Sequence, residues 1–216
     1  MTKQEPDFSL IETILWENGG YFLLELHMER LKKSAGHFSF PLDRSVLGQV
    51  LDNLAGSFDP SERYRVRLLL ERSGNFNITS DLLENTDDPA VKAAVSDERT
   101  DKNDIFYRYK TTKRDIYEEE FKKYRAKGFF DVIFTNQDNE VTEGAITNII
   151  IKKDGHYWTP PLSCGLLPGV YREYLLREGK LPLKEKVLYP EDLERADRVF
   201  LINSVRKMVE AVISEQ

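Results

Sequence analysis

The chain has 216 residues, with 31 lysines and arginines against 37 aspartates and glutamates, so its net charge is -6. Hydrophobic residues make up 40% and charged residues 31%, which is typical of a soluble globular protein and not of a disordered one. The acidic balance argues against a nucleic-acid-binding surface, and every apolar run is shorter than the roughly 20 residues that a membrane-spanning helix needs.

The cell compartment is indicated by one cysteine and by the first residues. Cys164 has no second cysteine with which to form an internal disulfide, and residues 1–7 lack the apolar stretch of a secretory signal. We therefore expect a cytoplasmic protein. We also expect no membrane or nucleic-acid partner and no metal site.

In the first half, apolar periodicity and turn residues predict two hairpins and two helices. They are, in chain order, a strand at 10–16, a turn at 18–20, a returning strand at 21–26, a short helix ending at Gly36, an amphipathic helix at 41–54, and strands at 63–70 and 76–79. In the third strand, Arg63, Arg65 and Arg67 alternate with apolar residues and so share one face.

The second half follows a charged connection at 81–104, which we expect to be solvated and to contain a short strand at 90–95. The later predicted elements are a helix at 114–127, strands at 132–134, 146–151 and 156–158, a helix at 170–177, a short helix opened by Pro190, and strands at 199–202 and 208–213. Frequent hairpins favour an α+β fold over a doubly wound parallel sheet. We expect a small domain at 1–102 and a larger one at 103–216.

Several polar residues stand at element boundaries. Lys110 is either a solvated lysine or an amine whose pKa is lowered by desolvation and basic neighbours, which would make it a nucleophile. Glu143 is either a turn residue or a carboxylate that pairs with a cationic ring nitrogen. Gly169 and Val170 begin a helix, and the N–H groups at a helix start suit an anion such as phosphate. Arg30 is either a ligand-binding residue or an ordinary surface arginine.

The order of these residues resembles the class IV (fold-type IV) pyridoxal-phosphate enzymes, which include branched-chain and D-amino-acid aminotransferases and 4-amino-4-deoxychorismate lyase. The resemblance covers nearly the whole chain, and its most specific part runs from Glu143 to Arg172. The matching segments are Ile11-Glu12-Thr13, His27-Met28-Glu29-Arg30-Leu31, Ser34-Ala35, Lys110-Thr111-Thr112-Lys113-Arg114, Thr142-Glu143-Gly144 with Asn148, Thr159-Pro160, Gly165-Leu166-Leu167-Pro168-Gly169-Val170-Tyr171-Arg172 and Asn203-Ser204.

The resemblance implies a two-domain fold like that of D-amino-acid aminotransferase, a homodimer, and pyridoxal 5′-phosphate as the cofactor. It implies that Lys110 bonds to the cofactor and moves protons, and that Glu143 pairs with the pyridine nitrogen. Arg30 is expected to reach the cofactor phosphate. The other cofactor-binding residues that the resemblance implies are Asn148, Gly169, Val170, Ser204 and Val205.

The chain departs from the family pattern in two places. The match begins at about residue 8, where family members have an extra strand, so we expect part of the small domain to be absent or minimal. Branched-chain enzymes also place a tyrosine a few residues after the lysine, on the phenolic oxygen of the cofactor. Here the fifth position is Asp115 and Tyr117 lies two further on. Arg114 is nearer, and either makes that contact or binds a substrate carboxylate.

The resemblance is greatest to aminodeoxychorismate lyase, because of Lys110-Thr111-Thr112-Lys113-Arg114 and Asn203-Ser204-Val205-Arg206. It implies elimination of pyruvate to give 4-aminobenzoate for folate. The alternatives are an aminotransferase acting on a branched-chain or D-amino acid, and a non-catalytic cofactor-binding or scaffold homologue. Arg67 is either part of a solvated strand face or a substrate-carboxylate ligand, and the apolar run that follows it predicts that it is the least solvated of the three arginines.

Overall fold

The computed structural model describes residues 8–84 and 90–214. These residues fall into two compact units, residues 8–84 with Lys110–Lys113, and residues 90–109 with 114–214. The division into domains at residue 102 stays a prediction, because the two units are defined by compactness and not by independent folding.

The first unit is an antiparallel sheet with two helices. Its elements are β1 (Leu10–Glu17), β2 (Gly20–Tyr21), α1 (Leu24–Phe38), α2 (Arg44–Ala55), β3 (Tyr64–Leu70) and β4 (Phe76–Leu82). The strand order is β2-β1-β3-β4. Directly paired residues lie on the same face, and the pair Ile14 and Val66 is fully buried. Leu31 of α1 and Leu51 of α2 are buried as well, so both helices contribute apolar side chains to the core of this unit.

The returning strand predicted at 21–26 is wrong, and so is the predicted end of the first helix. β2 has only two residues, because Leu23 has a φ of 56° and this left-handed conformation ends the strand immediately before α1. α1 then continues through Gly36 to Phe38 and ends where Ser39 has a φ of 57°. Gly36 is exposed inside the helix and does not stop it.

The second unit contains a mixed sheet of eight strands. Its elements are β5 (Val91–Thr100), α3 (Asp115–Ala126), β6 (Asp131–Asn136), β7 (Val141–Gly144), β8 (Asn148–Lys153), β9 (His156–Thr159), α4 (Val170–Glu178), β10 (Leu183–Glu185), α5 (Pro190–Glu194), β11 (Arg198–Asn203) and β12 (Lys207–Ile213), with 3₁₀ turns at Ile105–Arg108 and Leu162–Cys164. The strand order is β10-β9-β8-β11-β12-β5-β6-β7.

Both faces of this larger sheet are buried. Ile133 of β6 packs in a cluster with Ile149 and Leu201, whereas its neighbour Phe134 packs in a second cluster with Tyr117 and other aromatic residues. Because side chains alternate along a strand, consecutive residues of β6 supply two different cores. The sheet combines parallel and antiparallel strand pairs, hairpins are frequent, and the helices do not alternate regularly with the strands. These features confirm the predicted α+β class.

The charged connection predicted at 81–104 is only partly a solvated segment. β5 extends to Thr100 and lies inside the larger sheet, in parallel pairing with β6 and β12. The exposed charged residues Asp97 to Arg99 lie where the pairing of β5 with β6 shifts register. β7 and β10 were not predicted as strands. Within residues 8–84 and 90–214, no helix is long and apolar enough to cross a membrane.

Candidate active site

Lys110 lies in the first unit, in a short segment whose main chain is attached to β1. Its carbonyl accepts a hydrogen bond from the Ile11 N–H at 2.8 Å, and Leu10 and Thr111 form an antiparallel bridge. The Thr112 N–H donates to the Ser9 carbonyl at 2.9 Å. These bonds hold the backbone on both sides of Lys110 in place. The Lys110 side chain is half-buried.

Arg30, on α1 in the same unit, belongs to a buried charged cluster. Glu12 accepts from Arg30 Nε at 2.9 Å and from Arg30 Nη2 at 2.6 Å, a two-bond pairing. His27 Nδ1 lies 2.6 Å from the same carboxylate, and His27 and Glu12 are only 0% and 1% exposed. We call Glu12, His27 and Arg30 the arginine cluster.

The charges of the arginine cluster follow from its burial. Burial alone would raise the pKa of Glu12, but the charge of Arg30 and the hydrogen bond from His27 outweigh it and hold this pKa at about 2. Burial lowers the pKa of His27, although Glu12 acts in the opposite direction. Glu12 is therefore ionised, and a neutral His27 donates to it from Nδ1–H. His27 Nε2 is buried without a hydrogen-bond partner among the described residues.

Glu143 is the centre of a polar network in the second unit. Its side chain is 4% exposed. Oε1 accepts from the Tyr117 hydroxyl and from the Leu167 N–H, both at 3.1 Å, and Oε2 accepts from Asn148 Nδ2 at 3.2 Å. Burial and the charge of Glu143 raise the pKa of Tyr117 well above its usual value, so this hydroxyl stays protonated and remains a donor. The carboxylate is thus oriented by three donors from three segments of the chain.

Glu143 lies in strand β7 and not in a turn, and the turn that follows it is shaped by Asp131 and requires a glycine at position 144. Asp131 Oδ2 accepts from Thr147 Oγ1 at 2.7 Å and from the Ile146 N–H at 3.2 Å. A Cβ on Gly144 would lie well inside contact distance of both Asp131 Oδ2 and Thr147 Oγ1. Burial raises the pKa of Asp131 to about 6. The glycine after Glu143 is thus explained by close packing.

Asn148 connects Glu143 to the start of α4. Its Nδ2 also donates to the Leu167 carbonyl at 3.1 Å, and a Cβ on Gly169 would collide with its Oδ1. Gly169 is the residue before α4, and Val170, the first helical residue, is 2% exposed. Glycine therefore allows the backbone at this helix start to approach the Asn148 amide. A helix start of this kind presents N–H groups that suit an anion.

Arg172, in the first turn of α4, fixes the position of this helix start. It is 3% exposed and donates from Nη2 to the Pro160 carbonyl at 2.7 Å, and it pairs with Glu185. The arginine of the Leu-Pro-Gly-x-x-Arg motif therefore connects α4 to the Thr159-Pro160 segment at the end of β9.

Ser204 and Val205 lie in the turn between β11 and β12, and each is 8% exposed. Asn203 Oδ1 accepts from the Val205 N–H at 3.0 Å and from the Arg206 N–H at 2.8 Å, and Asn203 Nδ2 donates to the Ile146 carbonyl at 3.3 Å. Asn203 thus shapes the turn and connects it to the segment after Glu143. The contacts of Ser204 and Val205 with a phosphate stay predictions.

The structure gives Arg114 and Tyr117 new partners. Arg114 donates to the Ala145 carbonyl, and its guanidinium lies 5.4 Å from the Tyr117 ring centroid. The sequence places Tyr117 on the apolar face of a helix and makes it a candidate for the phenolic oxygen of the cofactor, but it does not indicate the bond to Glu143. The only signal was the shared helical face of Tyr117 and Tyr124, which does not identify a partner 26 residues away.

Arg67 is exposed on β3, and the expectation that it is the least solvated of the three arginines is wrong. Arg63 is more covered, with 31% of its side chain exposed, and lies 3.4 Å from Glu17. Arg67 is adjacent to buried Leu68, but successive side chains of a strand point to opposite faces. Within the part of the chain that the structure describes, no group of three or more histidine, cysteine or acidic residues is placed to hold a metal ion.

Comparisons with known proteins agree on one family. The family described as "Amino-transferase class IV" matches residues 9–212. A protein of Schizosaccharomyces pombe described as "Putative aminodeoxychorismate lyase" is 31% identical over 213 residues, which are 95% of this chain and 89% of that protein. A protein of Thermotoga maritima described as "Probable branched-chain-amino-acid aminotransferase" is 26% identical over 91% of this chain and 73% of its own length.

A crystal structure from Mesorhizobium loti, described as a "Putative amino-acid aminotransferase", superposes with a TM-score of 0.88 at 33% identity. The match covers 96% of this chain and 100% of the Mesorhizobium loti chain. The match therefore includes most of both compact units.

Proposed function

Since the chain belongs to the aminotransferase class IV family, we propose that it is a lyase that eliminates pyruvate from 4-amino-4-deoxychorismate and forms 4-aminobenzoate. The likeness to the Schizosaccharomyces pombe protein over 95% of this chain supports this choice. The observation that carries the cofactor chemistry, which this lyase would share with aminotransferases, is the buried Glu143 carboxylate, oriented by three donors beside the start of α4.

The family establishes the fold, the cofactor and the general chemistry. The fold is that of the fold-type IV aminotransferases, and the family implies pyridoxal 5′-phosphate and a small-molecule amino substrate. The chain is accordingly a pyridoxal-phosphate-dependent aminotransferase or lyase. When bound, pyridoxal phosphate supplies an electron-poor ring that stabilises negative charge on the substrate carbon beside the amine.

The residues of this chain fit that group. Glu143 is a buried acid that can hold a proton on the pyridine nitrogen. The N-terminus of α4 is the kind of helix start whose backbone N–H groups bind an anion. Glycine is needed just before it, because a Cβ at Gly169 would collide with the Asn148 side chain. In this proposal Gly169, Val170, Ser204 and Val205 bind the phosphate together with Arg30, and Asn148 orients Glu143.

Lys110 carries out the proton transfer in this proposal. Its amine removes the proton from C4 of the substrate, the carbon that bears the amino group. The bond between C3 and the enol oxygen then breaks, the ring becomes aromatic, and the leaving group takes up a proton to become pyruvate. A lysine on a backbone held by β1 is suited to this task, since proton transfer depends on position.

An aminotransferase is the second candidate, and the likeness to the Thermotoga maritima and Mesorhizobium loti proteins favours it. The two candidates use the same cofactor site and differ in their products. Incubation of the purified protein with 4-amino-4-deoxychorismate should release pyruvate and 4-aminobenzoate in equal amounts. Formation of glutamate from 2-oxoglutarate and a branched-chain or D-amino acid, without lyase products, would instead establish the aminotransferase.

A further inference from the structure

The arginine cluster is a nearly buried group of paired side chains, in which Arg30 is 10% exposed and Glu12 is 1% exposed. Both oxygens of Glu12 accept from Arg30, and one also accepts from His27. Carboxylates are seldom buried this completely unless they are paired, and even a paired charge is costly to remove from water. His27 also leaves Nε2 buried and without a partner among residues 8–84 and 90–214, a further cost.

The cluster immobilises the guanidinium of Arg30. A free arginine side chain loses rotamer freedom when it binds an anion, and this loss weakens binding. Here the two-bond pairing to Glu12 fixes the plane of the guanidinium, and only 10% of the Arg30 side chain is exposed. His27 in turn fixes the Glu12 carboxylate from a third direction.

We infer that Glu12 and His27 are positioning residues that hold Arg30 in the orientation in which it binds the cofactor phosphate. The inference rests on the proposed function, because it needs Arg30 to contact that phosphate. Glu12 does not touch the cofactor in this account. It compensates the charge of a buried arginine and fixes its direction, and His27 keeps the carboxylate from rotating.

The test compares a ligand that carries the phosphate with one that lacks it. The full chain, freed of cofactor, is titrated with pyridoxal 5′-phosphate and separately with pyridoxal, and Kd is measured from absorption. His27→Ala and Glu12→Gln should weaken binding of pyridoxal 5′-phosphate by about tenfold, the equivalent of one newly mobile side chain, and binding of pyridoxal by less than about twofold.

Two variants serve as controls. His27→Asn places an amide donor near the position of Nδ1, so it should restore most of the preference for the phosphorylated ligand. His37→Asn changes an exposed histidine of the same helix and should leave both dissociation constants unchanged. Thermal unfolding of each variant shows whether it is folded. If His27→Ala does not fold, the same comparison between His27→Asn and Glu12→Gln decides the question.

Three results would overturn the inference. Unchanged dissociation constants would make the cluster a core ion pair, and an equal loss for both ligands would show a general structural effect. Glu12→Gln and His27→Ala would then affect only the stability of the fold and not the recognition of the phosphate. If the unsubstituted chain binds neither ligand, the proposed function fails with the inference, whereas either of the first two results removes the inference alone.

Discussion

At the scale of single residues, the contact that most changes the account of the site is the hydroxyl of Tyr117 on Glu143. Tyr117→Phe removes one of three donors to a buried carboxylate. A hydrogen bond to a charged group contributes about 1.5–3 kcal/mol, so we expect turnover to fall roughly tenfold or more. Steady-state kinetics measures this effect.

Tyr124→Phe is the matched control, because Tyr124 lies on the same helix and its buried hydroxyl has no partner among the described residues. That change should leave turnover unaffected and cost no stability, since no hydrogen bond is lost. Equal kinetics in both variants would show that the bond between Tyr117 and Glu143 has no part in catalysis.

At the scale of elements, the start of α4 depends on the absence of a side chain at position 169. In Gly169→Ala the new Cβ would displace the Asn148 amide and with it the bonds to Glu143 and Leu167. We expect about 1–3 kcal/mol lower stability, as for other overpacked sites, and a clear loss of cofactor affinity. Denaturant unfolding and cofactor titration measure the two effects.

Gly36→Ala is the control for that change, since nothing lies within 4 Å of a Cβ at this position. It replaces an exposed glycine inside α1, so stability should rise by roughly 0.5–1 kcal/mol and cofactor affinity should not change. A Gly169→Ala variant that binds cofactor as tightly as Gly36→Ala does would contradict the proposed role of this helix start.

Asp131, whose carboxylate holds the turn after β7, should make the stability of the fold depend on pH. The pKa of Asp131 is raised to about 6 in the folded chain, so between its ordinary value of 3.8 and about 6 the folded state binds more protons than the unfolded state. Its contribution is therefore present at low pH and is lost as pH rises through this window, by at most about 3 kcal/mol. Asp131→Asn should remove that slope in denaturant unfolding measured from pH 4 to pH 7. An identical slope in the variant would assign the pH dependence to other groups.

Most elements and the order of the site residues could be predicted from sequence, because strand alternation, helical spacing and motif order are local signals. The errors have physical reasons. Residues 24–28 are compatible with a strand or a helix, and the left-handed conformation of Leu23 selects the helix. The bonds of Glu12 to His27 and Arg30, and of Tyr117 to Glu143, join residues 15–26 positions apart. Only the tertiary fold brings such pairs together, so no local pattern predicts them.

At the scale of the whole molecule, we propose a homodimer in the cytoplasm with its active sites near the subunit boundary. The resemblance implies the dimer, and the single buried cysteine suits a reducing compartment. Sedimentation should therefore give about twice the mass of one chain. A fully active monomer would contradict this proposal.

Arg67 remains the candidate for binding the substrate carboxylate in that assembly. Arg67→Ala should raise KM by about tenfold or more, the effect of losing a charge-assisted pair, with cofactor affinity unchanged. Arg65→Ala is the control, because Arg65 is a second exposed arginine on the same face of β3. An equal KM in the two variants would make Arg67 a solvated surface charge.

We propose that pyridoxal phosphate is attached at Lys110, and labelling of that lysine by borohydride reduction tests this directly. The holoenzyme is treated with borohydride, digested, and its peptides are identified by mass. We predict that the visible absorption disappears and that the reduced cofactor is found on the peptide that contains Lys110, and that Lys110→Ala shows neither absorption nor labelled peptide. Label on a different lysine, or full turnover in Lys110→Ala, would contradict the account.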